Sequence, residues 1–124
     1  MSDELLRGLC KALFATIVIE ETVACFFKER SWRFALVALL MNVATNPTIN
    51  LVVRSVPDSL FQNANEYAAL VFILEFWVWL IEACFLRAFL RDCAWSRALL
   101  LSLVLNLASF LSGYPLDYLG YWDW

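Results

Sequence analysis

Histidine is missing from this chain, and charge is scarce: Asp, Glu, Lys and Arg make up 17% of its 124 residues. Without histidine the usual ligand sets of zinc and haem, and the base of a Ser–His–Asp triad, cannot be assembled. Cys10, Cys25, Cys84 and Cys93 form no CxxC pair, and the expected state of such thiols is buried and free. No phosphate-binding loop accompanies them, so no cofactor is expected. The acids behind the pI of about 4.8 are spread along the chain rather than gathered on one face, so the pI says little about a nucleic-acid partner, and none is expected.

What the chain holds instead is apolar surface, 63% of its residues. A soluble domain this small needs a polar face on every element, and the residues to supply one are lacking. Residues 34–53 and 98–116 carry no Lys, Arg or Glu and, except for the first and last turns, read as continuous spans. Each is about long enough to cross a hydrocarbon core of roughly 30 Å as a helix. Residues 67–86 form a third such window, interrupted by Glu75 and Glu82. The weakest, 12–27, crosses only if extended past Lys11, whose long side chain can snorkel to the headgroups. Glu20 and Glu21 interrupt this run and no small-residue cleavage pattern follows, so it reads as a retained first helix rather than a signal peptide.

The predicted fold is therefore an all-α membrane protein, one domain over 1–124, with four transmembrane helices as two tandem helical hairpins. Hairpin 1 covers about 5–53, a loop 54–66, hairpin 2 about 67–116 and an aromatic tail 117–124. Tyr114, Tyr118, Tyr121, Trp122 and Trp124 suit a membrane–water interface. Arg33 to Asn42 and Arg97 to Asn106 have the same spacing, and Thr45 and Ser109 fall at matching offsets beyond them. Two helices per copy make this a parallel repeat about a pseudo-two-fold axis along the membrane normal. The upstream matches, Ile19-Glu20 with Ile81-Glu82 and Ala24-Cys25-Phe26 with Ala83-Cys84-Phe85, need different registers. Lys28, Arg30 and Arg33 cluster in one short loop and Arg87, Arg91 and Arg97 in the other. The positive-inside rule puts both loops (28–33 and 87–97) in the cytoplasm and both termini outside. The arrangement resembles small bacterial membrane proteins, which implies the inner membrane.

Carboxylates in such spans cost several kcal/mol, roughly 3 on insertion scales, and are rarely idle. Glu75 and Glu82 stand seven residues apart on one helix face. Asn42, Asn46 and Asn50 recur every fourth residue, with Thr45 beside them, and Asn106 and Ser109 repeat the idea in the last span. Pro47 leaves the Val43 carbonyl without its helical donor. These oxygens compose a hard-ligand site suited to a proton, Na⁺, Ca²⁺ or Mg²⁺. The expected binding residues are Glu75, Glu82, Asn42, Thr45, Asn46 and Asn106, with Glu21, Asn50 and Ser109. Adjacent Glu20 and Glu21 point about 100° apart, so one of them faces a subunit contact or the headgroups.

The functional expectation is transport or permeation of a cation or a small polar or cationic solute, by a homo-oligomer or with a membrane-complex partner in the lipid bilayer. The rival is a structural subunit whose polar residues fasten helices together. An intramembrane lipid-acting enzyme using Glu as acid or base stands third, since no nucleophile accompanies the acids.

Overall fold

The computed structural model describes residues 3–27 and 31–121. Lys28, Arg30, Trp122 and Trp124, and the side chain of Tyr114, which figure in the sequence argument, lie outside the described residues. The chain is all-helical: α1 (Asp3–Phe26), α2 (Trp32–Ser55), α3 (Ala64–Phe89) and α4 (Trp95–Tyr118), with a short 3₁₀ turn at Asp58–Leu60. Three of them, α2, α3 and α4, are long and apolar enough to cross a membrane.

Local chemistry sets the ends. Ser31 caps α2 by accepting from the Phe34 amide at 3.1 Å. Asn63 caps α3 by accepting from the Asn65 and Glu66 amides, while Glu66 reaches back to the Gln62 amide at 2.7 Å. This reciprocal cap starts α3 at Ala64, three residues ahead of the apolar window beginning at Tyr67. Pro47 and Pro115 are both accommodated inside continuous helices.

Packing is inverted relative to a water-soluble bundle. The fully buried side chains include Glu20, Glu82, Asn42 and Ser102, whereas Phe14, Phe72, Ile73 and Leu111 are each more than half exposed. In water this would strand polar groups inside and grease outside; in lipid it satisfies both. Each helix packs on two neighbours, α1 on α2 and α4, α3 on α2 and α4, and neither diagonal pair touches. The untouched diagonals leave room along the bundle axis.

The apolar core is not evenly distributed along that axis. Ala24, Phe34, Met41, Leu86, Ala98 and Leu105 pack at the end where the two short loops lie. Toward the other end the only buried apolar residues among those described are Val78 and Leu9. There the contacts are polar and peripheral: the Tyr121 hydroxyl donates to the Lys11 carbonyl at 3.2 Å, Lys11 donates to the Tyr121 carbonyl at 3.3 Å, and Arg54 lies against Gly8.

All four cysteines are free, as expected, but only Cys93 is buried; Cys10, Cys25 and Cys84 are exposed. Their expected burial is corrected by the same inversion: a thiol is a small hydrophobe, and here hydrophobes turn outward.

Candidate functional site

The site is built where the axial space meets the top of the apolar core. Side chains on a helix tilt toward its N-terminus. Glu20 on α1 therefore leans away from the hairpin loop and Asn42 on α2 leans toward it, so the two converge at one level. Asn42 Nδ2 donates to Glu20 Oε2 at 2.7 Å and to the Ala38 carbonyl at 3.0 Å, which uses both of its hydrogens. In the second half Asn106 Nδ2 donates to Glu82 Oε2 and to the Ser102 carbonyl. Thr45 Oγ1 lies 2.9 Å from both the Met41 carbonyl and Glu82 Oε1. Ser109 on α4 faces the Glu20 carboxyl, while giving its own hydrogen to the Asn106 carbonyl at 3.2 Å.

These contacts form a circuit held by hydrogen bonds on three sides. Glu20 links α1 to α2 through Asn42, Thr45 links α2 to α3 through Glu82 and Asn106 links α4 to α3, while Ser109 on α4 stands beside Glu20 on the fourth side without donating to it. Odd helices supply the carboxyls; even helices supply amide and hydroxyl. One atom is left over: Glu20 Oε1 is buried and, among the described residues, has no hydrogen-bond partner. A buried polar atom without a partner costs about 1–3 kcal/mol or more for a charged group, so it marks a place where something else is accommodated.

That place is a polar cavity of about 60 Å³ bounded by Glu20, Asn42, Thr45, Glu75, Glu82 and Asn106, with no Lys or Arg among its walls. Thr16, Asn46 and Asn50 extend it toward the loosely packed end. Asn46 donates to Thr16 Oγ1 at 2.9 Å, and Asn50 donates to the Asn46 carbonyl and Oδ1. The volume suits a small ion with few waters and is far below the roughly 300 Å³ of the smallest drug-sized pockets. Among the described residues no group of three or more His, Cys, Asp and Glu side chains is gathered as a metal site. Three carboxyls, Glu20, Glu75 and Glu82, stand among neutral oxygens at this cavity, a hard-oxygen set suited to a small cation.

The expected residues divide as follows. Asn42, Thr45, Asn46, Asn50, Glu75, Glu82, Asn106 and Ser109 all line this one cavity. Glu21 does not; Glu20, 1% exposed, takes the inward position, while Glu21 is half-buried. Since the two differ by one helical step, only one could face the axis. The Val43 carbonyl is not added to the set either, because Val43 lies outside the cavity and is 49% exposed. Thr16 was not anticipated. Its signal was present, since it precedes Glu20 by one turn and shares its face. Comparison with protein-family models, curated proteins and solved structures found no match.

Proposed function

We propose that the protein is a four-span membrane carrier that binds a small monovalent cation (Na⁺ or a hydrated proton) between Glu20 and Glu82. The observation that carries this reading is the buried, unpartnered Glu20 Oε1 beside a cavity of about 60 Å³ walled by acids and neutral oxygens. Fastening helices together requires partnered groups, and an orphaned carboxyl oxygen adds nothing to it. The site also tolerates either protonation state of Glu82. An ionised carboxylate accepts from Thr45, while a protonated one donates to Thr45 Oγ1 and lets that hydroxyl serve the Met41 carbonyl. Proton and cation then compete for one place, so cation binding weakens as pH falls.

The fourth span is α1. Its 24 residues reach about 36 Å at roughly 1.5 Å per residue. Glu20 is turned into the bundle and Lys11 is bonded to Tyr121, so neither charge faces acyl chains. A parallel repeat is supported by burial: Phe34, Val37, Ala38 and Met41 match Ala98, Leu101, Ser102 and Leu105 at one constant offset, and buried Asn42 and half-buried Asn106 follow at the same offset. It is supported again by the circuit, in which each carboxyl takes the amide of its own hairpin and meets a hydroxyl of the other. The arginines at the short-loop end, Arg33, Arg87, Arg91 and Arg97, put the apolar core on the cytoplasmic side and the looser polar end outside. The cavity is then reached from outside, and delivery requires the Phe34–Met41–Leu86–Leu105 packing to part.

The structural-subunit reading is favoured by one observation, the three interhelical hydrogen bonds of the circuit. Flux separates the two. Purified protein in liposomes should carry Na⁺ or protons down an imposed gradient, and Glu20→Gln or Glu82→Gln should each lower that flux about tenfold or more, the loss of one charged ligand. Absence of alkali-cation and proton flux, or flux unchanged in both folded variants, would overturn the carrier reading.

A further inference from the structure

A second cavity opens at the short-loop end of the bundle, with the apolar core between it and the inner site. It encloses about 360 Å³, and its walls present more polar than apolar surface. Three arginines stand around it: Arg33 from α2, Arg97 from α4, and Arg91 from the turn that joins α3 to α4. Asp92 is the one acid among the described walls. It takes a left-handed backbone conformation (φ 54°), which Asp tolerates better than most residues and which lets the turn be tight. Cys93 is buried beneath and joins Phe34 and Ala98 in the apolar core, so the floor is firm. Arg33 and Arg91 are exposed and, among the described residues, make no hydrogen bond or ion pair. Ser31 accepts from the Phe34 amide and keeps its hydroxyl hydrogen to donate.

These charges stand where a helix least favours them. The N-terminus of a helix carries partial positive charge, which attracts acids and anions and repels cations. Neither α2 nor α4 has an acid in its first turn; each has an arginine there, and α4 starts on Ala94, which gives no capping side chain. Two helix starts and three guanidiniums thus bring positive charge to one cavity, with a single carboxylate to offset it. From this arrangement we infer that the cavity binds the phosphate of an anionic phospholipid. Guanidinium forks bond phosphate oxygens in pairs, and those of Arg33 and Arg91 are uncommitted. Depth selects a lipid over a soluble phosphate: Trp32 and Trp95, the first residues of α2 and α4, are exposed as side chains of the headgroup layer are. Charge selects an anionic lipid over a zwitterionic one, whose ammonium would meet the arginines. Basic pockets at this depth between transmembrane helices suit such headgroups. A diffuse attraction of basic loops to the membrane would need no cavity and would treat every arginine of this end alike. The inference rests on α2, α3 and α4 crossing the bilayer, and it does not depend on the inner cavity carrying a cation.

The test adds defined lipids to full-length protein in detergent micelles and counts bound molecules by native mass spectrometry. Dioleoylphosphatidylglycerol should bind saturably, and dioleoylphosphatidylcholine, with the same chains, should bind about tenfold more weakly or not at all. Arg33→Gln and Arg91→Gln should each weaken phosphatidylglycerol binding about tenfold, the loss of one charged donor. Arg87→Gln removes an exposed charge from the same end but outside the cavity, and should leave binding unchanged. Should a variant disturb the fold, the comparison of the two lipids on the unaltered protein still decides. Equal binding of the two lipids, undiminished binding to folded Arg33→Gln and Arg91→Gln proteins, or equal weakening by Arg87→Gln would overturn the inference. Inorganic phosphate at the lipid's concentration should not displace it; displacement would assign the site to a soluble phosphate and overturn the lipid. Saturable phosphatidylglycerol binding in a protein that carries neither Na⁺ nor protons would leave this site standing and remove the carrier reading alone.

Discussion

Glu20 and Glu21 are neighbours in sequence and opposites in the fold. Both interrupt an apolar run, and apart from Thr16, one turn before Glu20 on its face, the sequence does not distinguish the one that meets Asn42, because helix rotation is set by packing with other helices. The asparagines were legible: a stripe of carboxamides on an apolar helix has no comfortable place in lipid, and Asn42, Asn46 and Asn50 all turn to the axis. Their roles differ in a way that stability measurements can read. Asn106→Ala removes a donor from a buried carboxyl and should cost about 1–3 kcal/mol. Asn50 donates only within its own helix, so Asn50→Ala should cost about 0.6 kcal/mol or less. Reversible unfolding in mixed micelles, comparing the two variants, checks the order; equal losses would show that the Asn106–Glu82 contact contributes no more than a local one.

Helix α2 carries the clearest lesson among the elements. The apolar window gave its extent through Pro47, and the Val43 carbonyl that Pro47 frees was expected to join the site. The helix does continue through Pro47, but Val43 lies on the outer face. Pro47→Ala should therefore keep cation flux while restoring one backbone bond. Flux lost in a folded Pro47→Ala protein would return the Val43 carbonyl to the site. The start of α3 was misplaced for a different reason. Hydropathy ignores polar caps, and Asn63 with Glu66 begins the helix in residues that read as loop. Asn63→Ala should lower stability by about 1 kcal/mol, the usual effect of losing an N-cap, without altering flux. Thermal unfolding alongside the flux assay tests both halves of that statement.

At the scale of the whole molecule, inverted polarity organises everything else: acids and amides along the axis, leucine and aromatic rings outward, and an apolar core confined to one end. The composition alone pointed to a membrane, but the uneven packing along the axis could not be read from it, since it depends on which faces meet. The proposed orientation makes a geometric statement. In a cysteine-free background, Ser96→Cys should react with a membrane-impermeant maleimide only from the cytoplasmic side, and Ser59→Cys only from outside. Reaction of both from one side would remove the four-span topology.

Infrared difference spectroscopy on the reconstituted protein tests the core of the account most directly, by recording carboxylate bands as Na⁺ replaces a bulky cation too large for a cavity of about 60 Å³. The expected result is a saturable change in carboxylate stretching that disappears in Glu20→Gln and is reduced in Glu82→Gln. A spectrum that does not respond to Na⁺ or to acidification, or a response that persists in full in both variants, would mean that the two acids at the bundle axis bind no cation.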